Sequence, residues 1–586
     1  MTDIPVGRSP ATSSRGIDIS SPEAMARIKA RYNSEWRFRA YGIAAVIIAA
    51  SFIVVLLGDT IMKAIPAFTQ TRVTIAVNVK ADVIDPAGTR DPSTIAAADF
   101  NSLIRDSLRD AFPLAKSRSE RKLLSGLVSS GAADDLRQAV LADPSLIGTS
   151  ITFNALLSDD ADLFLKGRMT AIREQVGRGE ATPDGTEGEI TIVSTVNDFA
   201  EPLLLAKQAL AAEAEALTFE ASRVEANAVD ATGDERATLD AKVVELRARA
   251  AELMKRHDAS SAPEPLGVDL PSTLVYINGG VVKASEIAGD RIKGTVLLPM
   301  RDAAPAGAGS WRIVTLERPE GARRVSDLEA IWLEDFKDRG QITRNFNWDF
   351  FTRGDSREPE LAGVLGGLVG SLLTMSVTLV LCLPIGVLAA IYLEEFAPKN
   401  RLTELVEVNI NNLAAVPSIV FGLLGLAVFL NFFGMPRSAP IVGGLVIALM
   451  VLPTIIIAAR AAIRAVPPSI REGALGVGAS HQQAVFHHVL PLAMPGIMTG
   501  TIIGMAHALG ETAPLIMIGM VAFVVDIPGS FTAASSVLPV QIFSWADLPE
   551  IAFQAKTAAA IIVLLVFLFI MNGLAIILRK RFERRW

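Results

Sequence analysis

Residues 469–491 read SIREGALGVGASHQQAVFHHVLP, a short polar stretch between two long apolar runs. Ser469 and Ser480 are each followed three residues later by Glu or Gln, the spacing of a capping box that begins a helix. Gly478 lies where the first of these helices needs a left-handed residue to end. The pattern predicts two short helices joined by a glycine turn at a membrane surface, a shape suited to docking another protein.

A longer pattern runs through the same stretch, at Glu472, Gly473, Ala474, Gly478, Leu490 and Pro491. It resembles the EAA loop (E-A-A-x3-G-x9-I-x-L-P) of ABC importer permeases. Two positions differ from that loop, because Gly473 replaces an alanine and His488 replaces an isoleucine. Glycine lowers helix propensity by up to about 1 kcal/mol relative to alanine.

A second motif lies on the following apolar segment. Residues 510–514 read Gly-Glu-Thr-Ala-Pro and resemble a segment of the PstA subunit of phosphate-specific ABC transporters. The resemblance covers roughly residues 361–586, and the chain is similar to a PstA variant with a large N-terminal extension.

The resemblance implies a mainly α, polytopic membrane protein with six transmembrane helices of type I ABC importer architecture and an α+β domain inserted after the first helix. It also implies two copies of an ABC ATPase subunit, a second, PstC-like permease, a soluble phosphate-binding protein and contact with membrane lipid. The chain has no G-x-x-x-x-G-K-[ST] motif, so ATP and Mg²⁺ are expected in the partner ATPase. We expect a transport subunit that is not an enzyme and binds no cofactor.

Charge is unevenly distributed along the 586 residues. The net charge is −7, whereas residues 60–360 contain 36 Lys/Arg and 47 Asp/Glu, which leaves that region at −11. An anionic domain argues against nucleic-acid binding. The single cysteine, Cys382, excludes an intrachain disulfide.

Apolar runs divide the chain. A polar segment (1–40) precedes an uncharged run (41–57), which we interpret as the body of a transmembrane anchor (41–59). The alternative is a cleaved signal peptide, but the leader is long and lacks an evident cleavage site. The permease core (361–586) contains five further predicted spans, at about 363–391, 406–433, 439–460, 493–524 and 557–578.

The region between the anchor and the permease core, here called the insert (60–360), reads as an α+β domain. Residues 201–229 and 235–257 are rich in Ala, Glu, Leu, Lys and Arg and predict a helical hairpin broken at 232–234. We found no metal-ligand spacing, nucleophile elbow or phosphate loop in the insert. Strands are predicted at 73–79, 190–196, 273–277, 292–298 and 311–316, and loops at 259–266 and 302–310.

Six spans place both termini on one side of the membrane. If that side is the cytoplasm, 17 Lys/Arg outside the insert face inward and two, Arg437 and Lys556, face outward. This split follows the positive-inside rule. It predicts cytoplasmic termini, an extracytoplasmic insert and a cytoplasmic loop at 461–492, here called the polar loop.

The polar loop is expected to carry force from the ATPase into the membrane, or else to be an ordinary connection between spans. For this coupling, Ser469, Glu472 and Ser480 would provide caps, and Leu490 with Pro491 would fix the exit into the next span. By resemblance, Glu472 and Gly478 occupy the hallmark positions of the EAA loop.

Glu511 is the only carboxylate deep in the predicted spans, and such a group is a functional-site hypothesis by default. His507 lies four residues earlier on the same helical face, where PstA-like sequences often have arginine. The pair either lies on a translocation path or locks helices together. We assign to the candidate path the residues His507, Gly510, Glu511, Thr512 and Pro514.

Glycines at 496, 500 and 504 repeat every four residues, which lets helices approach closely. Packing within one subunit is favoured over a subunit interface. We expect no metal site, because His487 and His488 are adjacent and cannot share a helical face. Alternative functions are a permease for another oxyanion or small solute, and a membrane-anchored sensor or scaffold acting through the insert.

Overall fold

The computed structural model of the chain describes residues 22–229, 231–259, 262–521 and 523–582. It separates into two compact units, residues 1–63 and 64–586. The first unit is dominated by helix α1 (Pro22–Ala64), which includes the predicted anchor. This helix begins well before residue 41, because residues 23–41 contain no Gly or Pro to stop it.

The insert contains two antiparallel sheets. The smaller sheet has the strand order β11-β1-β2, and the larger has the order β3-β10-β7-β8-β9-β5-β4, with β6 paired to β8. All five predicted strands are confirmed. The strands are β1 Thr69–Asn78, β2 Ser150–Leu156, β3 Ile172–Val176, β4 Ala181–Pro183, β5 Glu189–Ser194, β6 Glu264–Pro265, β7 Ser272–Ile277, β8 Gly280–Ile287, β9 Arg291–Leu298, β10 Arg312–Leu316 and β11 Ile342–Phe346.

Helices surround the smaller sheet and form one core with it. Alternate residues of β1, including Val73, Ile75 and Val77, are buried as the period-2 pattern predicts. The helices of the insert are α2 Ala81–Ile84, α3 Pro92–Ala97, α4 Phe100–Ala111, α5 Arg118–Gly126, α6 Gly131–Ala142, α7 Asp159–Leu165, α8 Ala200–Ala228, α9 Asp234–Asp258, α10 Asp327–Asp338 and α11 Asp349–Thr352.

Helices α8 and α9 form the predicted hairpin. Gly233, within the predicted break, has φ +64°, a conformation that glycine adopts without strain. At the base, Lys207 Nζ lies 2.7 Å from Glu264 Oε2, and both side chains are more than nine-tenths buried. A buried ion pair therefore holds the base of the hairpin to the rest of the insert.

The helical core follows the insert. A π-helical turn, Tyr392–Phe396, extends α12 and another, Leu426–Phe432, extends α14, while a third, Val485–Val489, joins α17 to α18. The helices of this core are α12 Leu365–Ile391, α13 Arg401–Ala414, α14 Ser418–Gly425, α15 Pro440–Arg464, α16 Pro468–Gly476, α17 His481–Ala484, α18 Leu490–Gly510, α19 Ala513–Met517, α20 Leu538–Ala546 and α21 Ile551–Phe582.

Two predicted spans differ from the structure. The predicted span at 406–433 is not one straight helix, because α13 and α14 meet at an angle of 100°. Pro417 lacks an N–H group and restricts the residue before it, which breaks the helix there. The span at 493–524 ends at Gly510. The described residues contain five helices long and apolar enough to cross a membrane, or six if the bent pair is counted as one span.

Helices α13 and α14, the bent pair, lead from one end of the helical core to the other. Contacts made just before α13 and just after α14 identify these two ends. Glu394, beyond α12, pairs with Arg464 at the end of α15. After α14, the Ser438 hydroxyl donates to the Gly519 carbonyl at 2.6 Å, and the Ser438 carbonyl accepts from the amide of Ser535. We call the end with Glu394 and the polar loop the loop end, and the opposite end the insert end.

The insert is fixed to its end of the helical core by a hydrogen bond and by apolar packing. The indole Nε1 of Trp545 in the core donates to Asp355 Oδ1 in the insert at 2.8 Å. Aromatic and aliphatic residues from both regions form one buried cluster, which includes Phe350, Val364, Leu538, Trp545 and Phe553. The insert and the polar loop therefore lie at opposite ends of the core.

Candidate functional site

The polar loop contains a well-terminated helix. Helix α16 ends in a Schellman motif, in which the amide of Ala479 donates to the Ala474 carbonyl and the amide of Gly478 to the Leu475 carbonyl. Gly478 has φ +91°, as the sequence predicts for a left-handed turn residue. The backbone of this turn is therefore fixed by its own hydrogen bonds.

One of the two predicted capping boxes is present. The Ser480 hydroxyl accepts from the amide of Gln483 at 3.2 Å, and Gln483 Oε1 accepts from the amide of Ser480 at 2.9 Å. The predicted box at Ser469 is wrong. Helix α16 begins at Pro468 with Pro467 as its N-cap, because proline is well suited to the first helical position. Ser469 and Glu472 thus lie inside the helix, and Ser469 is two positions past the N-cap.

The tip of the loop is exposed and partly apolar. Glu472 and Gly473 are exposed, Leu475 is 45% exposed and Val477 is 87% exposed, whereas Ala474 is buried against the protein. A Cβ atom added at Gly473 would meet nothing within 4 Å. Close packing therefore does not require glycine at this position.

The exit from the loop is continuous with a long helix. Residues 481–510 form a single helical run through the π-helical turn before Leu490. Pro491 has no N–H to donate to the preceding turn, which fits the looser bonding of that turn. Val485 and Val489 are buried against the end of α15. Leu490 and Pro491 therefore lie within a helix that leads directly from the polar loop.

A charged cluster at the loop end was missed from the sequence. Glu394 Oε1 lies 2.8 Å from Arg464 Nε, and Glu407 Oε1 lies 2.7 Å from Arg460 Nη2. Two adjacent acidic residues ending an apolar run, opposite several arginines, are the signal that could have indicated it. From the sequence alone, these arginines indicate only the orientation of the chain in the membrane.

Glu395 joins the polar loop to α12. Arg471 Nη2 lies 2.6 Å from Glu395 Oε1, and His481 Nε2 donates to the Glu395 carbonyl at 2.9 Å. The Glu395 side chain is 5% exposed. Both helices of the polar loop thus contact the same residue.

The second candidate site lies near the end of α18. His507 Nε2 is 3.1 Å from Glu511 Oε1, with the side chains 68% and 18% exposed. The expected pair is therefore present. However, the backbone of Glu511 is extended (φ −76°, ψ 124°), so Glu511 lies just after the last residue of α18 and not within that helix.

The remaining residues of the candidate path lie around this break. Gly510 is exposed, and Thr512 is the N-cap residue of α19 without a side-chain capping bond. Pro514 is buried beside Gly422, where an added Cβ atom would come within 2.7 Å of the Pro514 Cα. Helix α19 has only five residues, so its dipole is small compared with that of a full span.

The glycine repeat on α18 packs within the chain, as favoured from the sequence. A Cβ atom added at Gly500 would lie 2.2 Å from Ala458 Cβ, and one at Gly496 would lie 2.7 Å from Ala462 Cβ. The face that carries Ile503 and His507 is exposed. One face of α18 thus contacts α15, while the other is turned away from the packed helices.

Two families match the chain. Residues 382–584 match the family described as "Binding-protein-dependent transport system inner membrane component". Residues 25–175 match a domain of unknown function, DUF3333. The first match covers most of the helical core, and the second covers part of α1 and residues 60–175 of the insert.

The curated relatives include permeases of both Pst types. "Phosphate transport system permease protein PstA 1" of Mycobacterium tuberculosis is 30% identical over 42% of this chain and 79% of its own length. "Phosphate transport system permease protein PstC 1" of Mycobacterium bovis is 31% identical over 36% of this chain and 70% of its own length.

Among solved structures, a chain of the inward-facing MetNI methionine ABC transporter is 19% identical, with a TM-score of 0.30 over 38% of this chain and 95% of that chain. The assignment rests on the sequence relatives. The chain is a multi-pass membrane protein that belongs to the family of ABC transporter permeases containing the PstA phosphate transport permeases, and it carries a large N-terminal extension.

Proposed function

We propose that this chain imports inorganic phosphate across the cytoplasmic membrane by alternating access, driven by ATP hydrolysis in a separate subunit. The printed names of the PstA and PstC relatives and the Gly-Glu-Thr-Ala-Pro segment support phosphate as the substrate. The lack of a phosphate-binding loop motif in the sequence supports a separate ATPase.

The proposed orientation has both termini and the polar loop in the cytoplasm and the insert outside. The 17-to-2 distribution of Lys/Arg supports this orientation. The placement of the insert and the polar loop at opposite ends of the helical core is consistent with it, because one of them must then be extracytoplasmic.

One observation carries the proposed coupling function, namely the exposed tip of α16. A helix that transmits force must be rigid and must present a surface to its partner. The Schellman turn at Gly478 fixes the end of the helix, while Leu475 and Val477 expose apolar surface beside the carboxylate of Glu472. An apolar tip flanked by charge is a suitable surface for a groove on an ATPase subunit.

The proposed assembly contains two ATPase subunits, a second permease and a soluble phosphate-binding protein. The exposed face of α18, which includes Ile503 and His507, would face the second permease and the translocation path. The binding protein would deliver phosphate at the insert end of the core.

His507 and Glu511 would shape the path. A lone carboxylate would repel phosphate, whereas a protonated histidine paired with it would reduce that repulsion. We assign Glu511 to positioning His507 and the break after α18, and Gly510, Thr512 and Pro514 to forming that break. His507, with its largely exposed side chain, is the residue placed to meet the anion.

In the proposed cycle, ATP binding closes the ATPase subunits and displaces the polar loop. The displacement passes into α15 and α18, which are continuous with the loop in the chain, and opens the path outward. The binding protein then releases phosphate, and hydrolysis restores the inward-open state.

The docking step is tested by Glu472→Lys, with Glu404→Lys as a matched control on the exposed surface of α13. We expect Glu472→Lys to abolish co-purification of the ATPase and the uptake of labelled phosphate, and Glu404→Lys to preserve both. Full retention of both by Glu472→Lys refutes docking at this tip.

Substrate identity is tested with the unsubstituted complex in proteoliposomes. Labelled phosphate should accumulate, and excess unlabelled molybdate or sulfate should not compete with it. Preferential accumulation of either of those oxyanions contradicts the phosphate assignment while leaving the importer assignment intact.

A further inference from the structure

Arg471 lies in an unfavourable position for a cation if only α16 is considered. It is the fourth residue of that helix, near the positive end of the helix dipole, where positive side chains destabilise. An arginine there indicates that its stabilising contacts lie outside the helix.

Those contacts come from two other elements. Arg471 Nε and Nη2 lie 2.9 and 2.6 Å from Glu395 Oε1, while Nη1 donates to the Val466 carbonyl at 2.7 Å and Nη2 to the Ile463 carbonyl at 2.9 Å. The guanidinium thus caps the end of α15 and also binds the end of the α12 run, which we define as α12 together with its π-helical turn, Leu365–Phe396. A planar group with several fixed donors is suited to such a junction.

Glu395 is held from a second direction. His481, the first residue of α17, donates from Nε2 to the Glu395 carbonyl at 2.9 Å. The His481 and Phe396 rings also meet edge to face, with centroids 5.0 Å apart. Both sides of the turn at Gly478 are therefore attached to the last turn of the α12 run.

The neighbouring glutamate secures the same turn to the rest of the loop end. Glu394 pairs with Arg464 on α15. Arg460 Nε also lies 3.4 Å from Glu394 Oε2, while Arg460 Nη2 binds Glu407 on α13. The last turn of the α12 run is therefore held by charged contacts to α15 and, through Arg460, to α13.

We propose that Glu395, Arg471 and His481 form a clamp that couples motion of the polar loop to α12. These are positioning residues, and the inference rests on the proposed function. The chain itself connects the loop only to α15 and α18. The clamp adds a third helix, and the far end of α12 contacts α20, where the amide of Leu538 donates to Ser371 Oγ at 2.9 Å. Displacement at the loop thereby reaches the insert end of the core through α12.

The test uses the full chain assembled with its ATPase and second permease in proteoliposomes. Labelled phosphate uptake and ADP formation are measured together, because phosphate is both the cargo and a product of hydrolysis. The variants are Glu395→Gln, Arg471→Gln and their combination, with Glu404→Gln as the exposed control. His481→Ala removes one arm of the clamp at an exposed position and so keeps the test valid if loss of the buried pair prevents folding.

We expect each single variant to co-purify with the ATPase and to hydrolyse ATP, while phosphate imported per ATP falls about five- to tenfold, within the range of typical coupling effects. His481→Ala should show a smaller fall and Glu404→Gln none. The double variant should be no worse than either single variant, because the two residues act as one pair.

An unchanged ratio of phosphate to ATP in the single variants refutes the clamp, and so do independent, additive effects of Glu395→Gln and Arg471→Gln. Loss of ATPase co-purification in His481→Ala also refutes it, since the contact would then support docking and not transmission. Failure of the unsubstituted chain to assemble with an ATPase refutes the proposed function itself, and that outcome is distinguished before any substitution is made.

Discussion

Arg471 and Glu395 are 76 residues apart in the sequence, yet their side chains meet at 2.6 Å at the loop end of the helical core. Glu395 lies in the last turn of the α12 run, and Arg471 lies in α16. Their contact joins these two helices at the loop end, so the helix that carries the exposed tip at Val477 is attached to α12 by an ion pair.

Glycine at two positions of the polar loop has opposite consequences. Gly473→Ala meets no atoms within 4 Å and should stabilise α16 by up to about 1 kcal/mol through helix propensity. Gly478→Ala places a side chain at φ +91° and should cost about 1 kcal/mol or more. Hydrogen exchange of the amides in residues 468–480 should slow in the first variant and accelerate in the second. The same exchange rates in both variants contradict the assigned roles.

Close packing of α18 on α15 depends on Gly500. A Cβ atom there would lie 2.2 Å from Ala458 Cβ, so we expect Gly500→Ala to destabilise the core by about 1–3 kcal/mol. Gly573→Ala, in an open position of α21, is the control and should not lower stability. The thermal unfolding midpoint of the detergent-solubilised chain measures both. A midpoint for Gly500→Ala at or above that of the original chain contradicts this packing.

Much of the fold could be predicted from the sequence. The hairpin and five of the strands follow from composition and periodicity, which are local properties. Strands β3 and β11 were missed because they are short, largely exposed edges of their sheets, defined by their neighbours more than by their own pattern. Strands β2, β4, β6 and β8 were also not predicted, and β8 is a largely buried strand in the middle of the larger sheet.

The candidate site divides in the same way. The cap at Ser480 and the turn at Gly478 are local and were predicted, whereas the cap at Ser469 failed because the preceding prolines start the helix earlier. The clamp at Glu395 pairs residues far apart in the chain, so local spacing could not reveal it.

The insert contains a carboxyl group that opposes folding at neutral pH. Burial, together with the charges of Asp160 and Glu360, raises the pKa of Asp159 to about 7, whereas an unfolded aspartate titrates near pH 3.9. The folded state therefore binds the proton more tightly, and stability falls as the pH rises from about 4 to 7.

Asp159→Asn should remove this loss. Its unfolding midpoint should match that of the original chain near pH 4, and the advantage of the variant should grow up to about pH 7 and then level off. Asp269→Asn, at an exposed carboxylate, is the control and should show no such growth. An advantage that is constant from pH 4 to 8 contradicts the titration of Asp159.

The central claim, that the tip of the polar loop receives the ATPase on the cytoplasmic side, is tested most directly by the accessibility of Val477→Cys. The background is Cys382→Ala, which removes the single native cysteine. Phe219→Cys, exposed on α8 of the insert, is the opposite-side control.

With a membrane-impermeant maleimide, we predict that Val477→Cys is labelled in inside-out vesicles and not in intact spheroplasts, that bound ATPase protects it, and that Phe219→Cys shows the reverse sidedness. Labelling of Val477→Cys in intact spheroplasts, or labelling undiminished by bound ATPase, would contradict the account.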